Sequence, residues 1–325
     1  MNLIRVLQLL ADGEVHSGEE IGEALGVSRT AVWKQLQKLS DLGLSLSTVK
    51  SRGYQLPGGL ELLEHQKIVA AMSMETRDLL KQLDVENSID STNTRAMAVA
   101  QKGFGSGYAC IAEHQTAGRG RKGRNWVSPF GRNIYLSVVW EFTQGAAVLE
   151  GLSLAIGVAI ARVINRLSDD QEAVQLKWPN DVYWQGKKLA GVLLEMSGDV
   201  SSTCQVVVGV GLNVSMLADE ATAIDQQWTS LNSFTKGVSR NQLAANLLSE
   251  ILLMLSEYDR NGFARVKSEW ESLDFFRDAE VEIRLGENIL IGRAAGVSGN
   301  GALRLLTDMG EQLIYGGEAS ARKSV

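Results

Sequence analysis

Two short stretches concentrate residues that handle charge. Gly118 to Arg124 reads GRGRKGR, in which the cations Arg119, Arg121, Lys122 and Arg124 alternate with Gly118, Gly120 and Gly123. The glycines let a backbone bend and expose N–H groups, and the cationic heads suit phosphate or carboxylate. Such a loop, crowded with like charge, is expected to be unordered when empty and to fold over an anionic ligand. Lys177 to Asp181 reads KWPND, a cation, an aromatic ring, an amide and a carboxylate at the end of a strand, with the proline setting a turn. Asp181 suits Mg²⁺ or a proton from an incoming amine. Lys188, in the following KKLAG, suits a bridge between a carboxylate and an α-phosphate, and GVGLN closes a later strand at Asn213.

GRGRKG also satisfies G-x-G-x-x-G, the dinucleotide fingerprint. That turn must join a strand to a helix, with an acidic residue about 20 positions on. Here NWVSPFGRN leads into the strand-like IYLSVVW, and long cations fill the variable positions. Glu141 lies near the acidic distance by coincidence. The loop therefore reads as a phosphate or carboxylate clamp, and an NAD-dependent oxidoreductase is disfavoured. A Ser-His-Asp hydrolase is disfavoured too, because no G-x-S-x-G elbow accompanies the three histidines.

Positioning these groups requires a large folded domain, which 325 residues with 45% apolar content allow. The longest apolar run, Gly151 to Ala161, falls short of the ~20 residues needed to span a bilayer and reads as a buried helix. The opening residues lack the form of a signal peptide. Cys110 and Cys204 sit in apolar runs without C-x-x-C spacing, which predicts reduced core thiols, a cytoplasmic setting and no structural zinc.

The net charge of −6 does not advertise nucleic acid, but its distribution does. Before residue 28 a single arginine faces five carboxylates; from Ser28 to Leu56 five cations face Asp41 alone. Leu3, Ile4, Leu7 and Leu10 predict an amphipathic helix. Ser17 and Glu20 have capping-box spacing ahead of a helix with Ile21, Ala24 and Leu25 on its apolar face, ended by Gly26. Ser28 caps the next helix, whose Val32, Leu36 and Leu39 face inward while Arg29, Thr30, Trp33, Lys34 and Lys38 stay outside. A hairpin then turns at Lys50 to Gly53, placing Lys50 and Arg52 to reach phosphates. The order predicts a winged helix-turn-helix reading DNA, with the helix-turn-helix at about 18–37. Pro57-Gly58-Gly59 reads as a hinge.

In this order and behind a winged helix, GRGRKGR, KWPND, KLAG and GVGLN resemble the bifunctional biotin–protein ligases that double as biotin-operon repressors, over nearly the whole chain. The resemblance implies that Ser91, Thr92, Asn93 and Gln115 contact biotin and that Gly118, Arg119, Gly120 and Arg121 close over it. It implies that Lys188 sits near the carboxyl and phosphate groups and that Trp228 packs over the adenine. Lys177, Asn180, Asp181, Asn213 and Arg322 belong near the nucleotide and magnesium, with Lys188, Arg121 and Asp181 carrying the chemistry and Asp181 as metal ligand. From the residues alone, Ser91 is a helix N-cap and Trp228 a partly exposed aromatic. Lys122 stands where the family often has arginine, and His114-Gln115-Thr116 departs from its pattern on either side of Gln115.

The resemblance further implies biotin and ATP as substrates, Mg²⁺ as helper, a biotin carboxyl carrier protein as acceptor, and operator DNA bound by a homodimer when biotinyl-AMP is present, with no membrane partner. It implies an α+β multidomain fold: a winged helix at 1–62, a central mixed-sheet ligase domain at 67–275 and an SH3-like β-barrel at 276–325. Strands are expected at 108–113, 134–140, 174–178, 188–196 and 205–213, and helices near 93–101, 148–167 and 241–258. A lipoate-type ligase is the near neighbour; a ligand-responsive regulator without turnover is the remaining alternative.

Overall fold

The structure is a computed structural model. It describes residues 3–50, 52–143, 149–168, 173–198, 203–286, 288–315 and 319–323, with the backbone alone at 198 and 319–323. The N-terminal part holds α1 (Leu3–Leu10), α2 (Gly18–Leu25), α3 (Arg29–Gln37) and a hairpin of β1 (Ser47–Val49) and β2 (Gly53–Gln55). The capping box forms as its spacing predicts: Glu20 N–H donates to Ser17 Oγ, and Ser17 N–H to the Glu20 carboxylate. Ser28 Oγ caps α3 by accepting from Ala31 N–H. Val6, Leu7, Leu10, Ile21, Val32, Leu36 and Leu39 form the core. Ser28, Arg29, Thr30, Trp33, Lys34, Lys50 and Arg52 are exposed, and so is Ala24, which the sequence placed on the apolar face.

The segment from Pro57 to Leu63 is no free joint. Leu60 N–H donates to Ala11 O. The Glu61 carboxylate accepts from Ser239 Oγ, Arg240 N–H and Asn241 Nδ2. Phe130, only 1% exposed, crosses from the central domain to fill the N-terminal core. Nearby, Arg240 and Glu113 form a buried ion pair at 2.8 Å, and Arg240 also donates to Asn133 O, so neither charge is left uncompensated.

The central domain runs α4 (His65–Ala71), α5 (Met74–Leu79), β3 (Gln82–Glu86), α6 (Thr92–Ala100), β4 (Tyr108–Ala112), β5 (Ile134–Phe142), α7 (Leu152–Leu167), β6 (Gln175–Lys177), β7 (Asp181–Trp184), β8 (Lys187–Gly198), β9 (Cys204–Leu212), α8 (Arg240–Asn261) and α9 (Lys267–Ser272). Its seven strands are ordered β3-β4-β5-β9-β8-β7-β6, parallel between β3 and β4 and antiparallel elsewhere. Alternation along each strand serves two cores. Ile111, Leu136, Val208 and Val210 face α7 and α8, while Tyr108, Cys110, Val139 and Val207 pack with Ala96 and Ala100 of α6. The expected helices and strands are present to within a few residues, whereas β3 and β7 went unread. Both cysteines are buried and free, and burial pushes the Cys110 thiol up to about 12.

The C-terminal part is an antiparallel five-stranded sheet of SH3-like size: β10 (Glu280–Leu285), β11 (Asn288–Val297), β12 (Leu303–Thr307), β13 (Gly310–Ile314) and β14 (Ala319–Lys323), ordered β13-β12-β11-β10-β14. Trp178 of KWPND, 2% exposed, ties it to the central domain by donating Nε1–H to Gly301 O at 3.0 Å. Among the described residues, no helix is long and apolar enough to cross a membrane.

Candidate active site

A cavity of about 500 Å³ opens over β8 and β9, under the 119–126 segment and beside the KWPND turn and residues 225–227. Its floor is made of glycines because bulkier groups press on it. A Cβ on Gly209 would stand 2.2 Å from Asn93 Oδ1, and one on Gly211 2.5 Å from the Trp126 ring. Asn93 and Trp126 thus meet the sheet two residues, or about 7 Å, apart along β9.

At the Asn93 end buried hydroxyl and amide groups bond to one another, with the Glu195 carboxylate also holding Asn93. Ser137 Oγ–H lies within hydrogen-bonding reach of Thr92 Oγ1, at 2.8 Å, and of Asn93 Oδ1, at 2.6 Å. Thr92 N–H and Oγ1–H reach Gln115 Oε1, and Gln115 Nε2 donates to Ser128 Oγ. Ser91 occupies the N-cap position of α6 without a side-chain cap. Ser91 instead lines the cavity.

The other end is cationic. Five basic side chains (Arg121, Lys122, Arg124, Lys177 and Lys188) line it against the carboxylates of Asp181 and Asp225, with Arg119 lining the cavity nearer Asn93, so an anionic ligand fits the cationic end. Lys188 Nζ lies 2.8 Å from Asp181 Oδ1, an ion pair set off the hydrogen-bonding direction, and 5.4 Å from the Trp126 ring centroid. Arg121 Nη1 donates to Asn180 Oδ1 at 3.0 Å. Burial lowers the Arg121 pKa and Asp181 counters the fall, so the guanidinium stays charged. Lys177 Nζ donates to Tyr183 OH at 3.1 Å and sits 5.6 Å from the Phe276 ring centroid.

The GRGRKGR segment is ordered, contrary to the expectation from its charge, because its cations are parted among different partners. Arg119 pairs with Glu195 at 2.7 Å while Arg121 turns to Asn180. The backbone folds as a hairpin: Arg119 bridges Asn125, Gly120 N–H donates to Arg124 O and Trp126 N–H to Gly118 O. These N–H groups serve the loop itself. Lys122 and Gly123 adopt left-handed φ values of 56° and 73° at the tip. No α-helix follows, which removes the dinucleotide reading.

Most residues named from sequence gather here. Ser91, Thr92, Asn93, Gln115, Arg119, Gly120, Arg121, Lys177, Asn180, Asp181 and Lys188 all line the cavity. Three, Gly118, Asn213 and Trp228, lie off its lining. Gly118 is packed below, where a Cβ would meet Trp126 O at 2.4 Å. Asn213, 3% exposed, donates to Thr229 O and braces the end of β9. Trp228 is half-buried in a backbone bridge to Lys188, so its neighbours Gln226 and Gln227 line the cavity in its place. Arg322 lies on β14 in register with Glu282, its side chain outside the described residues. Sequence reading missed Trp126, Tyr183 and Phe276 in the lining. The Trp126 indole N–H is buried without an acceptor among the described residues.

Comparison with known proteins adds three family matches. Residues 85–213 match the biotin/lipoate A/B protein ligase family, residues 2–55 an HTH domain and residues 279–322 the biotin protein ligase C-terminal domain. The chain is 40% identical to the bifunctional ligase/repressor BirA of Escherichia coli (strain K12), over 99% of this chain and 97% of the relative. It is 35% identical to the biotin–[acetyl-CoA-carboxylase] ligase of Mycobacterium tuberculosis, over 72% of this chain and 86% of the relative. Among solved structures it resembles the biotin protein ligase from Aquifex aeolicus in complex with biotin and ATP. That match has a TM-score of 0.64 at 31% identity, covering 75% of this chain and all of the other.

Proposed function

The chain belongs to the biotin–protein ligase family in its bifunctional ligase/repressor form, and we propose on that premise how its cavity works. The protein is an ATP-dependent biotin–protein ligase with a DNA-binding repressor arm. It joins biotin to ATP as biotinyl-5′-AMP and passes biotin to an acceptor lysine. One observation carries the site assignment: a single cavity with buried hydroxyl and amide groups at one end, where Arg119 is paired to Glu195, and five more cations against two carboxylates lining the rest.

Biotin has the matching shape, with a neutral cyclic urea, an apolar ring and chain, and a terminal carboxylate. Thr92 and Gln115 offer the urea donors and acceptors already fixed by one another, with Ser137 bracing Thr92 from behind, and Trp126 over the glycine floor suits the apolar middle. The carboxylate then meets Lys188 and Arg121. Its attack on the α-phosphorus brings two anions together, and Lys188, Arg121 and Lys177 offset that repulsion and the charge that develops at phosphorus. Pyrophosphate leaves. An acceptor lysine then attacks the mixed anhydride and AMP leaves, with Asp181 placed to take the amine's proton. Arg119 and Gly120, in the covering hairpin, keep water from the anhydride.

Mg²⁺ fits as a companion of the nucleotide. Among the described residues no three His, Cys, Asp or Glu converge on one point, and of the two carboxylates that line the cavity Asp181 is the one beside Lys188. One carboxylate plus substrate phosphates is a usual magnesium set, and the ion screens the triphosphate charge. The acceptor is a biotin carboxyl carrier protein, and the DNA target is the operator of biotin-synthesis genes. Exposed Arg29, Thr30, Trp33 and Lys34 on α3 face the bases, and Lys50 and Arg52 the phosphates. Adenylate-bound protein dimerises through the central sheet, where β8 pairs with β7 as far as Gly191, Val192 N–H still donates to Asn180 O, and no strand pairs with that edge beyond among the described residues. ATP, DNA and buried free thiols fit a cytoplasmic protein. The test is transfer: with biotin, MgATP and a carrier domain, the carrier gains one biotinyl group on its lysine by mass spectrometry. Absence of that gain with a folded enzyme contradicts the assignment.

A further inference from the structure

Glu195 was singled out by no motif and does not line the cavity, yet one of its oxygens joins two parts of the site. Glu195 Oε2 accepts from Asn93 Nδ2 at 2.8 Å and from Arg119 Nη2 at 2.7 Å. Asn93 is 4% exposed, and its Oδ1 is already held by Ser137 Oγ–H. Its amide is therefore clamped at both ends, with Glu195 as the outer jaw. Arg119 stands on the first leg of the hairpin that covers the cavity, across from Asn125. Glu195 itself is fixed on β8 opposite Val207 of β9, on the face that also carries Gly191 and Leu193.

We infer that Glu195 is a positioning residue: a latch that holds the 118–126 hairpin shut over the site and ties that closure to the Asn93 end of the pocket. It acts through Arg119 and Asn93 and touches no reacting atom. Its consequence, which rests on the ligase reading, is a longer residence of the bound adenylate, with little effect on the chemical step once the site is filled. Closure in the ligand-free protein does not depend on that reading.

Two readouts on the full chain test the latch. In the ligand-free protein, E195Q keeps an acceptor for Asn93 but loses the charge facing Arg119, so tryptic cleavage at Arg121, Lys122 and Arg124 accelerates about fivefold, the scale of a half-exposed ion pair. With biotin and MgATP, release of biotinyl-AMP from E195Q accelerates by a similar factor. KM for biotin rises while kcat for pyrophosphate release stays within about twofold. The double variant R119Q/E195Q releases adenylate no faster than R119Q alone, since both changes break one contact. Unchanged cleavage in E195Q, with a circular dichroism spectrum like wild type, overturns the latch. So does a double variant whose release is faster than that of R119Q by the full E195Q factor. The tryptic rates decide the latch even if wild type forms no adenylate, a result that strikes the ligase reading instead.

Discussion

Phe130 sits four residues after Trp126 of the active-site hairpin, yet its ring lies in the core of the winged helix with Leu10, Leu56 and Leu62. Replacing it with alanine removes a side chain that is 1% exposed. A Phe→Ala change at such a site costs about 3–5 kcal/mol, made up of lost burial and the cavity left behind. A unit of about 60 residues is stable by only about 3–9 kcal/mol at typical per-residue values, so the loss is a large share of what holds the N-terminal part folded. The main core shares none of this contact and keeps its stability. Denaturant unfolding of Phe130→Ala followed by Trp fluorescence, with Trp33 in the N-terminal part, should show an early transition moved to much lower denaturant and a late one in place. Operator affinity should fall at 37 °C and proteolysis near Pro57 to Gly59 should rise. Biotin KM should rise as well, because Ser128, two residues before Phe130, holds Gln115. An early transition unchanged from wild type would refute the reasoning, since it would mean that the ring is not part of the N-terminal core.

Other perturbations follow from single contacts. Gly209→Ala forces Asn93 from its clamp, since the new Cβ falls 2.2 Å from Asn93 Oδ1; titration calorimetry should show biotin affinity down roughly tenfold or more, from an overpacking cost of about 1–3 kcal/mol. Asp274 is 6% exposed, with Oδ2 lacking a partner, and burial pushes its carboxyl up to about 6. A folded pKa above the unfolded one stabilises below about pH 4, and that stability is lost as pH rises through about 6. Asp274→Asn should therefore be more stable than wild type at pH 7.5, by up to about 2–3 kcal/mol in thermal melts, and the advantage should vanish near pH 4. Arg52→Ala should weaken operator binding at every sequence alike and reduce the salt slope by about one unit, measured by fluorescence anisotropy across ionic strength.

The sequence was most legible where local rules decide. Ser17 with Glu20, Ser28, and the apolar spacing of Val32, Leu36 and Leu39 specify the winged helix from within a few residues. GRGRKGR and KWPND were readable as charge handlers because their residue types are unusual at that density. What escaped was set by partners distant in sequence. The hairpin order depends on Glu195, 76 positions from Arg119, so the cation crowding looked worse than it is. Pro57-Gly58-Gly59 has hinge composition, but Glu61 is anchored to α8 from nearly 180 residues away. Trp178 was legible only as the aromatic ring of KWPND, and its bond to Gly301 buries it against the C-terminal domain. β7 was hidden because its four residues begin inside the KWPND motif, at Asp181.

The central claim is that one cavity activates biotin as its adenylate. Its most direct measurement is pyrophosphate release from ATP with Mg²⁺ and either biotin or lipoate, coupled to mass analysis of what the protein retains. The account predicts release with biotin alone, stoichiometric retention of biotinyl-AMP, and loss of at least about a hundredfold in rate in Lys188→Met. No release with biotin from folded protein, even with a carrier domain present, would contradict it and leave a ligand-sensing regulator of DNA in its place.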